Sequence, residues 1–278
     1  MKSKRFTMMF TGMVSLLTAS LFLPQAFASA IVLKDDTSKV ITVDSELIFY
    51  GADSVIYGPL AAEEITRLWN ENPANVVVGG TEYAVRFKIE PRYVSEQQAC
   101  DEARANTSFR TNFIRVENAP VVARSFNLLR GNAGFLETSR DKIGTSTTAA
   151  HEYGHSLGLD HPAPGIKMSG VPRIMWPRGT WVEAQYQYNP NVSGSTLNPA
   201  HRHVAIEEVA TIGLGRLIFS QAIAQMSQSL VGGRRPQNVI YGQSGIPIRC
   251  DIVYPRLVLS PEAPGAEATP PQNHEVVE

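Results

Sequence analysis

One stretch near the middle of the chain, residues 149–162 (AAHEYGHSLGLDHP), constrains the fold most. On a helix, His151 and His155 are four residues apart and lie on one face, so two imidazole nitrogens can reach the same metal ion. Gly158 is suited to end that helix, because glycine adopts the left-handed conformation without steric cost. The chain can then turn back and bring His161 to the same ion. Three nitrogen ligands with one open position are typical of a catalytic zinc site.

A carboxylate accompanies these histidines. Glu152 directly follows His151 and points along the same cleft, where it can move a proton without binding the metal. The alternative is a solvated amphipathic helix with incidental histidines. Three of the six histidines of the chain fall in this stretch, and the full spacing arises by chance on the order of once in a hundred thousand such chains. The pattern therefore favours a metal site.

The spacing His-Glu-x-x-His-x-x-Gly-x-x-His resembles the signature of the metzincin zinc peptidases. Metzincins also have a methionine turn beneath the metal, and residues 173–177 (RIMWP), with Met175 at the centre, resemble the matrixin form of that turn. Met168 competes for this role, but its neighbours do not fit the pattern. Pro162, after the third histidine, is instead similar to serralysins. The family within the clan therefore stays open.

The resemblance, which covers roughly residues 60–225, implies an α+β fold. Its expected parts are a twisted, mostly parallel sheet with an edge strand, two helices above the cleft, and an irregular lower subdomain with a C-terminal helix. It also implies that one catalytic Zn²⁺ is held by His151, His155 and His161, with Glu152 as general base and Met175 as an apolar floor.

A peptide-binding edge is a further implication of the resemblance. In metzincins the strand just before the active-site helix lines the cleft, and a peptide binds by adding a strand to it. We assign this role to Asn132, Ala133, Gly134, Phe135 and Leu136; the alternative is an ordinary surface hairpin. Taken together, these residues predict a zinc-dependent endopeptidase that acts on a protein or peptide.

Two other functions stay open beside the endopeptidase. One is a secreted binding or adhesion protein on a retained metzincin scaffold, and the other is a zinc hydrolase that cleaves a non-peptide amide. Peptidases that have become inactive normally lack the glutamate or one of the metal ligands, whereas this chain has the glutamate and all three histidines. Net charge is only −1 and no basic stripe is present, which excludes nucleic acid as a partner. The oligomeric state stays open.

The N-terminus predicts export. Lys2, Lys4 and Arg5 precede an uncharged apolar run over residues 6–23, and small residues offer cleavage after Ala28 or Ala30. We therefore predict a signal peptide over residues 1–28 and a secreted or periplasmic protein without a stable membrane span. The alternative is an uncleaved membrane anchor, because the apolar run is nearly long enough to span a bilayer.

The rest of the chain is predicted to comprise an N-terminal strand and loop segment (31–58), the metzincin-like domain (59–228), a C-terminal β segment (229–259) and a disordered tail rich in Pro, Ala, Glu and Thr (260–278). Apolar residues make up 43% and charged residues 18% of the chain, an ordinary globular composition. The glycine-aspartate repeats that bind calcium in serralysins are absent, so Ca²⁺ is not indicated.

Two cysteines, Cys100 and Cys250, permit one disulfide in an oxidising compartment, but two buried thiols are the equal alternative. The latency cysteine of matrixins belongs in an upstream propeptide, so the position of Cys100 puts that form of control in doubt. An N-terminal aspartate that blocks the zinc is known from some bacterial relatives, and ordinary loop acids are the alternative; the candidates are Asp35, Asp36 and Asp44.

Hydrophobic spacing predicts the surrounding secondary structure. Strands are predicted at 31–33, 40–50, 76–78, 83–93 and 109–116, and helices at 60–69, 95–105 and 198–212. Hydroxyl groups of residues 145–148 (TSTT) are expected to cap the active-site helix. Two acidic residues, Glu207 and Glu208, are predicted to lie on a solvated face. His201 and His203 are predicted at the helix start on the surface, with a second metal site as the alternative.

Overall fold

The computed structural model describes residues 29–106, 108–118, 124–163, 168–191, 195–215 and 217–218. The predicted signal peptide (1–28), the C-terminal β segment (229–259), the tail (260–278) and Cys250 lie outside the described residues. Among the described helices, none has both the length and the apolar character needed to cross a bilayer.

A curled, mixed sheet of seven strands forms the centre of an α+β fold. Its strands are β1 (Ile31–Asp35), β2 (Val40–Tyr50), β3 (Asn75–Val78), β4 (Thr81–Tyr93), β5 (Thr111–Glu117), β6 (Phe126–Asn127) and β7 (Ala133–Glu137). They follow the order β3-β4-β2-β5-β7-β6, with β1 beside the first half of β2. The four inner strands β4, β2, β5 and β7 run parallel, whereas β1, β3 and β6 are antiparallel to their neighbours. The predicted α+β class and the parallel character of the sheet are confirmed.

The central strand is β2, which pairs with β4 over residues 40–49 and with β5 over residues 46–50. Its side chains on both faces are buried, including Leu47, Ile48 and Phe49, as expected for a parallel strand covered on both sides. The predicted segment 31–58 is therefore not separate from the residues that follow it, because its longer strand lies in the middle of the sheet.

Helices cover both faces of the sheet. α1 (Ser54–Glu71) and α3 (Thr148–Ser156) pack together on one face, and α2 (Glu96–Ala105) covers the other. Trp69 joins α1 to α3: its indole Nε1 donates to the Ala150 carbonyl at 3.1 Å, and its ring meets the edge of Tyr153. α1 begins before the predicted start at Leu60 and includes Pro59.

A carboxylate on α1 takes over the capping role that was assigned to hydroxyl groups. Thr147 stands at the N-cap of α3 with φ 61° and makes no side-chain cap there; its hydroxyl donates to the Pro199 carbonyl instead. Glu64, which is buried, accepts from the Ala150 amide at 3.1 Å and from the Gly144 amide at 3.0 Å. The predicted hydroxyl cap is therefore wrong, and α3 is held at its start by α1.

Below the cleft the chain is irregular. The described residues between 157 and 205 contain only single 3-10 turns, at Ala184–Tyr186 and Pro199–His201, together with isolated bridges. The predicted helix over residues 198–212 begins with such a turn, which Asn198 caps, and resumes only at α4 (Ile206–Thr211). A small apolar cluster of Trp176, Val182 and Leu197 packs within this irregular part.

The first described residue forms a hydrogen bond with the end of α3. Ser29 is fully buried; its hydroxyl donates to the Ser156 carbonyl at 2.7 Å, and its own carbonyl accepts from the Ser45 hydroxyl at 2.8 Å. Of the two cleavage positions that the sequence offers, only the one after Ala28 would keep Ser29 in the mature chain.

A pair of adjacent acids on α1 tests the capping role. Glu64→Ala leaves two buried amides without an acceptor and should lower the free energy of unfolding by about 1–3 kcal/mol or more, as measured by urea denaturation. Glu63→Ala changes an exposed acid and should stay within about 0.5 kcal/mol of the parent chain. Equal effects of the two substitutions would contradict the capping role.

Candidate metal centre

Three imidazole rings converge at the end of α3. His151 and His155 lie on this helix, and Gly158, with φ 88°, ends it in the left-handed conformation that the sequence predicts. The turn brings His161 back, so that its Nε2 lies 3.0 Å from Nε2 of His151 and 3.0 Å from Nε2 of His155. These three residues could hold a metal ion.

Backbone carbonyls fix the orientation of two rings. Nδ1 of His151 donates to the Ile174 carbonyl at 2.6 Å, and Nδ1 of His155 donates to the Leu159 carbonyl at 2.8 Å. A carbonyl oxygen can only accept, so Nδ1 carries the proton and Nε2 presents its lone pair. Burial lowers the pKa of His151 and of His155, and lowers that of His161 to about 4. All three rings are therefore neutral near pH 7.

Zinc fits this set of ligand atoms. Neutral imidazole nitrogens are preferred zinc ligands, and tetrahedral coordination with bonds of about 2.0–2.1 Å places two ligand nitrogens about 3.3 Å apart. The Nε2 separations of 3.0 Å from His161 are close to that value. His151 and His155 direct Nε2 lone pairs to the point where His161 meets them, and a cation bound there would be attracted by these lone pairs.

Glu152 lies beside the histidines without joining them. Its Oε2 accepts from the Asn127 amide of β6 at 3.0 Å. The side chain is buried, and this burial raises the pKa of its carboxyl to about 8. A nearby divalent cation would lower that pKa again by favouring the charged form. The carboxylate is thus placed where it can accept and return a proton near neutral pH.

Met175 packs against the underside of α3, as the resemblance implies. It is buried, and its sulfur lies so close to Gly154 that a Cβ added to this glycine would collide with it. Ile174, the residue before it, provides the carbonyl that orients His151. The methionine turn therefore supports the metal centre in two ways: Met175 packs against α3, and the Ile174 carbonyl accepts a hydrogen bond from His151.

A buried carboxylate that was predicted to face solvent holds this turn. Glu208 is 8% exposed and accepts from the amides of Met175 at 3.0 Å, Ala205 at 2.9 Å and Ile174 at 3.4 Å. Its neighbour Glu207 is exposed. The prediction of a solvated face is therefore correct for Glu207 and wrong for Glu208.

A cleft of about 280 Å³ runs from the histidines along residues 124–129. Its wall contains β6, which pairs with β7 on one side and with no other described strand. The residues assigned to the sheet edge, Asn132–Leu136, lie elsewhere: β7 is inside the sheet between β5 and β6, and its residues are buried. That assignment is wrong because the edge strand β6 has only two residues, too few for a sequence pattern.

These residues of and next to β7 support the edge strand β6 instead. The side-chain amide of Asn132, just before β7, donates to the Thr111 carbonyl of β5 at 3.1 Å and so joins the two parallel strands. Gly134 lies against the side chain of Asn127, and a Cβ there would collide with it. A glycine at this position of β7 therefore leaves room for the residue of β6 whose amide binds Glu152.

Other sequence candidates are engaged elsewhere. Asp35 accepts from Ser38, Asp36 pairs with Lys34, and Asp44 pairs with Arg110, so none lies at the metal centre. His203 donates from Nδ1 to the Pro172 carbonyl, and His201 packs against Tyr186. In the described ranges, the three-histidine set is the only group found that could hold a metal ion. Cys100 is buried in α2; its predicted partner is not described.

Adjacent acids also allow a matched test of the methionine turn. Glu208→Ala removes the acceptor that fixes Ile174, whose carbonyl orients His151, so zinc affinity should fall by about 10-fold or more. Competition with a chromogenic chelator measures that affinity. Glu207→Ala removes an exposed acid whose nearest cation is Arg173 at 3.7 Å and should bind zinc as the parent does. Unchanged affinity in both variants would exclude this role for Glu208.

Comparisons with known proteins assign no family to the chain. The sequence matches none of the models of known protein families and none of the curated proteins. The structure shows three histidines that could hold a metal ion, in an α+β fold with a curled mixed sheet. Both features are compatible with a metzincin.

Proposed function

We propose that this chain is an exported zinc-dependent endopeptidase of the metzincin type. One observation carries the proposal: three Nε2 atoms meet at one point, and a separate carboxylate, that of Glu152, lies beside them in a cleft. A structural zinc site has no need of the carboxylate or of the cleft, since its four ligands close the coordination sphere.

Features outside the centre support the same proposal. The methionine turn packs under α3, the part of the chain below the cleft is irregular, and a helix, α4, follows it. Each agrees with what the metzincin resemblance implies. Export is part of the proposal because of the charged start, apolar run and small residues at the N-terminus.

The protein side chains have distinct tasks in the proposed reaction. His151, His155 and His161 would hold the ion through neutral nitrogens. When bound, zinc supplies Lewis-acid chemistry: it lowers the pKa of a water molecule and polarises the carbonyl of the scissile bond. Glu152 accepts the proton of the attacking water and later gives it to the leaving amine.

The edge strand gives the substrate a place to bind. β6 pairs with β7 and with no other described strand, and residues 125–129 line the cleft next to the histidines. An extended peptide would align there through backbone hydrogen bonds. Because the Asn127 amide donates to Glu152, the same strand would hold the proton-transferring carboxylate beside the bound peptide. Cleavage within a chain, rather than only at its end, is what the metzincin resemblance implies.

Incubation of the mature protein with a random peptide library, with and without a zinc chelator, tests the proposal. We expect cleavage that the chelator abolishes and that added Zn²⁺ restores. Peptides that bind without being cleaved would instead support the binding or adhesion protein. Absence of both cleavage and bound zinc would end the enzymatic proposal.

Glu152→Gln tests the role of the carboxylate. The amide cannot accept a proton from water, so turnover should fall by about 10²–10⁴-fold or more, whereas zinc content should stay at one ion per chain. Turnover is measured on a peptide selected from the library, and zinc by metal analysis. Glu63→Gln makes the same chemical change at an exposed site on α1 and should leave turnover unaltered. Near-normal turnover of Glu152→Gln would remove the assigned role.

A further inference from the structure

A second cavity of about 260 Å³ adjoins the metal centre. His151, Glu152 and His161 line both this cavity and the first cleft, and residues 177–179 and Arg202 also line this cavity. A side chain of a peptide bound at the histidines would therefore enter this cavity next to the scissile bond.

Arg202 is the unusual group in its wall. The residue is only 5% exposed, and its Nε has no hydrogen-bond partner among the described residues. Within the part of the chain that the structure describes, no carboxylate lies within ion-pair distance of its guanidinium. A buried arginine normally has a paired acid, because an unpaired buried charge is costly.

Neighbouring charges do not neutralise Arg202. Asp141 is the other acid in the wall, but it already pairs with Arg178 at 2.8 Å and accepts from the Ser125 amide. Glu152 belongs to the proton-transfer step. A further arginine, Arg124, lines the cavity as well. The cavity therefore has an excess of positive charge.

The guanidinium stays charged in this setting. Burial lowers the pKa of Arg202 to about 10, which is still well above neutral pH. A guanidinium presents several N–H donors in a planar fork that matches a carboxylate. The cavity is thus lined by a cation that has no paired acid among the described residues, and its volume of about 260 Å³ is large enough for an acidic side chain.

We propose that this cavity binds a carboxylate of the peptide substrate through Arg202, so that cleavage occurs next to an acidic group. This inference rests on the proposed peptidase function and adds its substrate class. The carboxylate comes from an Asp or Glu side chain beside an internal scissile bond; the other source, the free C-terminus of the peptide, would make the enzyme a carboxypeptidase and contradict the endopeptidase proposed above.

Paired peptides distinguish the two sources. Each pair has Glu or Gln at one position beside the scissile bond, and each is made with a free and with an amidated C-terminus. We expect kcat/KM to be on the order of 100-fold higher for the Glu peptide, as for a charge-assisted hydrogen bond in a buried site. A preference that persists after amidation assigns the side chain, and one that depends on the free terminus assigns the C-terminal carboxylate.

Arg202→Met removes the charge and keeps most of the side-chain volume. The Glu-to-Gln ratio of kcat/KM should fall to near one, mainly through a higher KM for the Glu peptide. Arg202→Lys should retain part of the preference. Arg67→Met makes the same change on the exposed face of α1 and should keep the parent ratio. Binding of the labelled Glu peptide to the Glu152→Gln protein, followed by fluorescence anisotropy, gives a readout without turnover.

Stability separates recognition from a structural role. Removal of an unpaired buried charge should leave the melting temperature of Arg202→Met equal to or above that of the parent; a clear decrease would indicate a structural arginine and overturn the proposal. An equal loss of turnover on Glu and Gln peptides would also overturn it, because Arg202 would then act through Glu152. If the parent cleaves no peptide at all, the peptidase function itself fails; if it cleaves without acidic preference, only this inference fails.

Discussion

The arrangement depends on three imidazole Nε2 atoms that face one point. To reach one cation together, the rings need to be held in this orientation from outside. The carbonyls of Ile174 and Leu159 do this for His151 and His155 by accepting from Nδ1. One carbonyl belongs to the methionine turn and the other to the loop that follows α3. The site is therefore built as much by backbone atoms as by its ligands, as is common around metal centres.

Buried carboxylates position the backbone in turn. Glu64 holds the start of α3, Glu208 holds the methionine turn, and Glu152 is held by the edge strand. Burial raises the pKa of each, while amide donors partly offset the cost of losing water. Glu64 and Glu208 accept hydrogen bonds from backbone amides away from the cleft, whereas Glu152 lies on the cleft beside the histidines. This difference in surroundings separates the positioning carboxylates from the one proposed to transfer protons.

Arg202 contrasts with these acids. Each buried carboxylate has donors in the protein, but the guanidinium has no acceptor at Nε among the described residues. Because an unpaired buried charge is costly, an anion that pairs with Arg202 from outside the protein would be bound favourably. If the metal centre hydrolyses peptides as proposed, that partner is a carboxylate of the substrate. His151 and Glu152 line both the cleft of the metal centre and the cavity that contains Arg202.

The sequence by itself determined what depends on local spacing. Histidines four residues apart share a helix face, Gly158 ends that helix, and apolar runs mark the strands of the sheet. Only the tertiary structure decided which charged residues are buried and which strand forms the edge. Glu64 caps a helix 86 residues away, Glu208 reaches a turn 33 residues away, and β6 is too short to give a pattern. Partners so distant along the chain meet only through packing, and no local periodicity records them.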